Sequence, residues 1–300
     1  MNLIPDIGAG IFLGAFFGLI ALGYSMVYGV LKLINFAHGD FYMVASYVSY
    51  SIFAVVVVGH QTGWLTILWV GLVTMFAGGL LSVASEQIVY RRMRGRPMLS
   101  LMIAALGVSE VLENSVLNIP AWGPQYRAYS VSFPSTGFNV DGSHYSWLQL
   151  AIVIVTFALT AIVYLIVHRT MLGKAMRAVA EDRVAAALLG VNVDRVISAV
   201  FFMGGALAGA AALLGGLYYG QINYLMGFTI GLEAFTAAVL GGIGNILGAV
   251  LGGFVLGILQ NVGTGLVGSQ WALVFSFGAL VLMLWLKPTG LLGERVGQRM

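Results

Sequence analysis

Nine apolar runs, each close to the length of a membrane-crossing helix, fill most of this 300-residue sequence. A helix needs about 20 residues to cross a hydrocarbon core about 30 Å thick. The runs fall at roughly 8–31, 40–58, 64–89, 98–117, 147–168, 197–219, 228–243, 245–266 and 270–287, each ended by charge, Pro or Gly clusters. Backbone polar groups surrounded by lipid must be satisfied inside the protein, which selects helices for segments of this kind. With 8% charged and 60% hydrophobic residues, against about a quarter charged in soluble domains, no soluble core can hide this chain. The expected fold is all-α, a polytopic transmembrane helix bundle of about 8–9 spans forming one domain over 1–300. The second and seventh runs are short and interrupted by Gly and a polar residue, so either is a broken or re-entrant helix in waiting. The first run is expected to stay in place, because Met1 to Asp6 lack a basic residue, the run is long, and no small-x-small cleavage site follows.

The same composition excludes disorder, and a net charge of +3 with basic residues set between apolar runs argues against nucleic acid. With no cysteine there is no disulfide, thiol nucleophile or thiolate metal site, and His38, His60, His144 and His168 show no paired ligand spacing. Basic loops stay in the cytoplasm. Arg91, Arg92, Arg94 and Arg96 form one cluster, Arg169, Lys174, Arg177, Arg183 and Arg195 a second, and Lys287, Arg295 and Arg299 mark the tail. Placing these and Lys32 on one side gives an outside N-terminus and a cytoplasmic C-terminus. Trp64, Trp147 and Trp271 then begin spans at the outer interface and Trp285 ends one at the inner. The segment about 118–146, with Pro120, Pro124, Pro134, Gly123, Gly137 and Gly142, reads as an ordered or semi-ordered external loop, either a connector or a docking surface.

Two stretches resemble one another. Phe36-Ala-His-Gly39 precedes Asp40, and Phe228-Thr-Ile-Gly231 precedes Glu233; each follows a Gly-rich apolar helix, and the proposed topology makes the copies inverted. Transporters use such pairs, with the substrate route at discontinuous helices. Asp40, Glu86, Glu110, Glu113 and Glu233 lie in or beside apolar spans, where a central charge costs about 2.5–3.5 kcal/mol, so they are expected to avoid lipid. Glu86, five residues from Arg91, is expected to reach the inner headgroup region in a structural role. Glu110 and Glu113 share a helix face and either face a cavity, pair across helices or sit protonated. The run from Lys32 to Tyr42 is either a hydrogen-bonded interfacial turn or a helix break lining a transport route, which makes Asn35, His38, Asp40, Tyr42, Glu110, Glu113 and Glu233 the candidates for a translocation pathway. Gly244, Gly248 and Gly252 give small-xxx-small steps for close helix packing; a dinucleotide site has no strand-turn-helix unit around it.

The cytoplasmic stretch 173–195 has the length of two short helices joined at Gly190, with Asn192 or Asp194 capping the next. Ala178, Glu181, Asp182, Ala185 and Ala186 fall near 3–4 spacing, giving a small Ala-rich face better suited to a protein groove than to lipid. Here the chain resembles the inner-membrane permeases of branched-chain amino acid ABC importers, the LivH/LivM type, and most closely the LivH-like half. The resemblance rests on Gly-Val-Leu-Lys-Leu-Ile-Asn-Phe-Ala-His-Gly-Asp-Phe-Tyr-Met at 29–43, on Arg-Ala-Val-Ala-Glu-Asp at 177–182 with Leu-Leu-Gly-Val-Asn-Val-Asp-Arg at 188–195, and on Glu-Ala-Phe-Thr-Ala-Ala-Val-Leu-Gly-Gly-Ile-Gly at 233–244. It implies a bacterial inner-membrane permease, a second homologous permease subunit, two ABC ATPase subunits, and an extracytoplasmic solute-binding protein docking outside. It also implies that 173–195 is the ATPase-coupling segment, with Arg177, Glu181, Asp182, Ala186, Gly190 and Asp194 as candidate contacts. ATP and Mg would then bind the partners: the only Gly-Lys, Gly173-Lys174, lacks the remainder of a phosphate loop. The alternative is an ion-coupled secondary transporter or channel for a small solute. An intramembrane enzyme finds no nucleophile–base pair. The solute stays open among branched-chain and other amino acids, amides and urea.

Overall fold

The computed structural model describes residues 3–56, 63–129, 137–140 and 143–293. His60, Pro134, Gly142, Arg295 and Arg299, and the end of the second run, lie outside the described residues. Among the described residues, seven helices are long and apolar enough to cross a membrane: α1 (Leu3–Leu31), α3 (Trp64–Met93), α4 (Met98–Asn118), α5 (Trp147–Arg169), α8 (Val193–Tyr219), α10 (Ile246–Val267) and α11 (Ser269–Leu286). The second and seventh runs form the shorter or more polar helices α2 (His38–Val56), with three serines and three tyrosines, and α9 (Met226–Gly241). Between α5 and α8 lie α6 (Met171–Glu181) and α7 (Arg183–Leu188).

The break before α2 has a clear geometry. After Leu31 the chain turns through Lys32 at φ 55, runs extended, and re-enters the bundle before helix resumes at His38. A Cβ on Gly23 would sit 2.4 Å from His38 Nε2, and Gly23 lies about 12 Å of helix rise from Leu31. Thus α2 starts at depth, not at the interface. Its residues are mostly buried, packed against α3, α8 and α9, with α4 on a fourth side.

The helices form two inverted halves, α1–α4 and α8–α11, joined through α5, α6 and α7. Their contacts are related: α1 packs along α10 as α8 packs along α3, and α2 rests on α8 as α9 rests on α1. Glycine permits both long crossings. A Cβ on Gly257 would lie 2.4 Å from the Cα of Gly14, and one on Gly209 would lie 2.8 Å from the Cα of Met75. Small residues at helix interfaces let backbones meet and gain dispersion contact where lipid offers no hydrophobic driving force. The equivalent glycines of the two Phe-x-x-Gly stretches touch each other: a Cβ on Gly39 would fall 2.7 Å from the Cα of Gly231. Residues near a pseudo-two-fold axis meet their own counterparts in this way.

The end opposite the basic clusters carries short strands, an addition to the all-helical expectation. β1 (Arg127–Ala128) pairs with β4 (Gln221–Ile222), and β2 (Gly137–Val140) pairs with β3 (Ser143–Ser146). This loop is fastened to α2, since Trp122 Nε1 donates to Ser51 Oγ at 2.9 Å and the Tyr129 hydroxyl donates to Ser49 Oγ at 2.6 Å.

Replacing Gly257 or Gly209 with Leu forces a branched side chain into backbone, and overpacking of this kind costs about 1–3 kcal/mol. Both variants are expected to melt at lower temperature in detergent than the parent, whereas Gly278→Leu, whose Cβ meets nothing within 4 Å, melts normally; equal melting of all three contradicts the crossings.

Candidate translocation site and coupling surface

The re-entrant segment holds its polar side chains inside the protein. Asn35 Oδ1 accepts from Ala37 N at 3.2 Å and from the Tyr90 hydroxyl at 2.6 Å. The buried His38 ring meets Tyr24 and Phe41 edge-on, with centroids 4.6 and 6.1 Å away. Asp40 is 1% exposed; its Oδ2 accepts from Ser109 Oγ of α4 at 2.5 Å, and its Oδ1 has no hydrogen-bond partner among the described residues. A Cβ on Gly227 would lie 2.5 Å from that oxygen. The carboxyl therefore sits in the first turn of α2 and beside the first turn of α9. The positive ends of two helix dipoles favour an anion there, an arrangement shared with the discontinuous helices of transporters.

Tyr42, two residues on, belongs to a different surface. With Tyr126, Tyr219, Gln221, Asn223 and Thr229 it lines a cavity of about 380 Å3 at the strand-bearing end. Glu233 continues the Met226–Thr229–Ile230 stripe of α9 one turn deeper; it is 7% exposed and its Oε1 accepts from Gln260 Nε2 at 2.7 Å. Asp40 and Glu233 thus lie on different faces of α9. Glu110 and Glu113 follow Ser109 on α4, Glu110 exposed and Glu113 half-buried. Ser109 is about 16 Å along α4 from its basic end, which puts both glutamates at bilayer depth. Ser109, Gly227 and Gln260, which complete these clusters, carry no sequence signal that separates them from other Ser, Gly or Gln residues.

The segment 173–195 does fold as helices, but the joint is Asp182. The Asp182 carboxylate accepts from Val184 N and Ala185 N at 2.8 and 3.0 Å and starts α7, so it is a cap. Gly190, at φ +86, lies between α7 and α8 and not between the two short helices, and Asn192 caps α8 through Arg195 N at 3.0 Å. Ala186 is 1% exposed and faces the bundle, which removes it from any docking face. The exposed face is apolar and larger than the Ala-rich surface expected: Val184, Leu188 and Leu189 are 71, 84 and 83% exposed. Arg177 donates to the carbonyl of Val167, and Glu181 is exposed.

Asp194 pairs with Arg94, which also pairs with Glu86. Glu86 is fully buried and further accepts from Ser198 Oγ at 2.7 Å and from Arg91 at 3.3 Å. Residues Glu86–Tyr90 form a π-helical turn within α3, and Tyr90 ends it; such turns recur at functional sites. A chain of polar contacts thus runs from Asp194 through Arg94 and Glu86, along one turn to Tyr90, and on to Asn35 in the helix break. Of the small-xxx-small glycines, Gly248 and Gly252 meet the end of α9, with Cβ positions 2.5 Å from Gly241 O and 2.0 Å from Ala237 O, whereas Gly244 lies in the turn before α10 at φ +96.

The family model described as branched-chain amino acid transport system / permease component matches residues 7–284. The chain is 40% identical over 296 residues to the high-affinity branched-chain amino acid transport system permease protein LivH of Escherichia coli K12, covering 95% of this chain and 94% of that protein. It is 39% identical over 294 residues to the corresponding protein BraD of Pseudomonas aeruginosa, with the same coverage, 95% and 94%. LivM of Salmonella typhimurium is 26% identical over 301 residues, 91% of this chain and 67% of that protein. No solved structure matches. With the family model matching residues 7–284 and relatives 39–40% identical over 95% of its length, this chain belongs to the branched-chain amino acid transport permease family.

Proposed function

We propose that this chain is the membrane subunit of an ATP-driven importer in the bacterial inner membrane, moving branched-chain or related amino acids that an extracytoplasmic binding protein delivers. The observation that carries the reading is the exposure of Glu110 at bilayer depth on α4. This helix touches the rest of the bundle chiefly through α2 and the π-helical turn, and its outer face also exposes Ile103, Leu106 and Val111. A glutamate facing lipid there costs several kcal/mol, so a second permease subunit covers the face and a polar route runs along it. Glu110 and Glu113 attract the ammonium of a passing amino acid, and Asp40 and Ser109 tie the wall of that route to the helix break.

Energy enters at the other end. The chain has no phosphate loop, and Val184, Leu188 and Leu189 offer an apolar knob that fits a groove on an ATPase subunit. The basic end is then cytoplasmic, the N-terminus and the strand-bearing loop external. Movement of α7 by the ATPase displaces the first turn of α8 and, through Asp194, Arg94 and Glu86, the π-helical turn; Tyr90 passes the shift to Asn35. Alternating access follows when the break changes its packing against α4 and α9.

Three variants test this. Leu188→Asp with Leu189→Asp leaves the protein inserted but abolishes co-purification of the ATPases and uptake; intact association contradicts the docking role. Tyr90→Phe removes one buried hydrogen bond worth about 1 kcal/mol, so the complex assembles and hydrolyses ATP while uptake per ATP falls several-fold; an unchanged ratio removes Tyr90 from the coupling route. Glu110→Leu stabilises a lipid-facing helix and leaves uptake intact, or disables a polar route. The proposal requires the second outcome, and ion-gradient uptake by the chain alone in liposomes contradicts it altogether.

A further inference from the structure

A cavity of about 280 Å3 opens at the basic end, between the end of α1, the turn joining α3 to α4, α7 and the first turns of α8. Among the described residues its wall carries three arginines, Arg94, Arg96 and Arg183, and no acid. Behind them lie apolar side chains, among them Leu33, Leu101 and Phe201. The three cations are unequally used. Arg94 is bound by Glu86 and Asp194. Arg183 gives one guanidinium nitrogen to the Leu31 carbonyl at 2.9 Å. The Arg96 side chain is exposed and makes no ion pair or hydrogen bond among the described residues. Arg183 is held below the usual guanidinium range, first by burial and then by the positive charge of Arg94. Like charges crowded into a partly desolvated pocket are relieved by an anion. A planar guanidinium pair favours phosphate oxygens.

We propose that this cavity binds the headgroup phosphate of an anionic phospholipid, with Arg96 and Arg183 on the phosphate oxygens and the Leu33–Leu101–Phe201 wall against the glycerol and first acyl carbons. The apolar wall distinguishes this from a site for free phosphate, which has nothing to place there. Basic pockets between transmembrane helices at the headgroup level are suited to such lipids. Because Arg183 holds α7 to α1, and Arg94 holds α8 to α3, the lipid bridges the elements at the root of the exposed knob and fixes their spacing. The proposal needs only that the basic end reach a headgroup layer, so it stands whether or not the transport reading does.

The test uses the purified full chain in zwitterionic detergent. Dioleoylphosphatidylglycerol, dioleoylphosphatidylcholine and inorganic phosphate are the probes, and native mass spectrometry and melting temperature the readouts. Phosphatidylglycerol is expected to be retained in preference to phosphatidylcholine and to raise the melting temperature, and millimolar phosphate leaves it bound. Arg96→Gln lowers its affinity about tenfold, as loss of a charge-assisted contact does. Leu101→Trp fills the cavity without altering charge and removes the retained lipid; because the Arg96 side chain has no partner among the described residues, Arg96→Gln reports binding even if Leu101→Trp disturbs packing. Equal retention of the two lipids, unchanged binding by Arg96→Gln, or displacement by phosphate each overturns the lipid site.

Discussion

The meeting of α2 and α9 backbone to backbone is the constraint on which the remaining structure depends. Two short helices begin inside the bundle, and their first turns expose N–H groups that lipid cannot satisfy. They are tolerable only when enclosed, and Gly39, Gly227 and Gly231 allow the enclosure by letting the two elements touch without a side chain between them. Around that crossing the longer helices pair in two related sets, α1 with α10 and α8 with α3, each closed by glycine. The buried Asp40 is a consequence: a carboxylate is acceptable where two helix N-termini converge and a serine hydroxyl donates.

Charge follows the same logic at three depths. At the basic end the buried Glu86 gathers Arg91, Arg94 and Ser198, tying α3 to α8. In the middle, Asp40 and Glu233 each have one polar neighbour from another helix, Ser109 and Gln260. Glu110 alone among these acids lies on an exposed surface at bilayer depth, on a helix with few neighbours. Breaking a buried ion pair costs about 3–5 kcal/mol, so the Glu86 cluster is the rigid link and α4 the loosely held element. A transporter needs both: a stiff connection to its energy source and a wall free to move.

Much of this was legible from residue order. Apolar run length located the helices, Gly with polar residues marked the two short ones, and the shared Phe-x-x-Gly pointed to an inverted pair, though not to the contact between its two copies. The five-residue step from Glu86 to Arg91 pointed to a structural place for Glu86 near the headgroups, whereas its ion pairs with Arg91 and Arg94 show only in the packed structure. Other features were hidden for physical reasons. Asp182 and Gly190 are both helix terminators in pattern, and only the backbone decides that Asp182 caps α7 while Gly190 follows it. Ala186 has the size for a docking face, but the rotation of a six-residue helix cannot be fixed from so short a period. Gly244 shares its spacing with Gly248 and Gly252 yet precedes the helix. Ser109 and Tyr90 came from distant spans, and their roles exist only in the packed structure.

On the proposed function, the Glu110 face of α4 lines a polar route in place of meeting lipid. The chain contains no cysteine, so single cysteines can be placed at 110, 113 and, as a lipid-facing control, at Leu284 of α11, which is 49% exposed. Labelling of the assembled transporter with a membrane-impermeant methanethiosulfonate reagent is the direct measurement. Positions 110 and 113 are expected to react rapidly, more slowly with transported amino acid present, and 284 not at all; equal protection of all three positions from the aqueous reagent places the Glu110 face against lipid or protein.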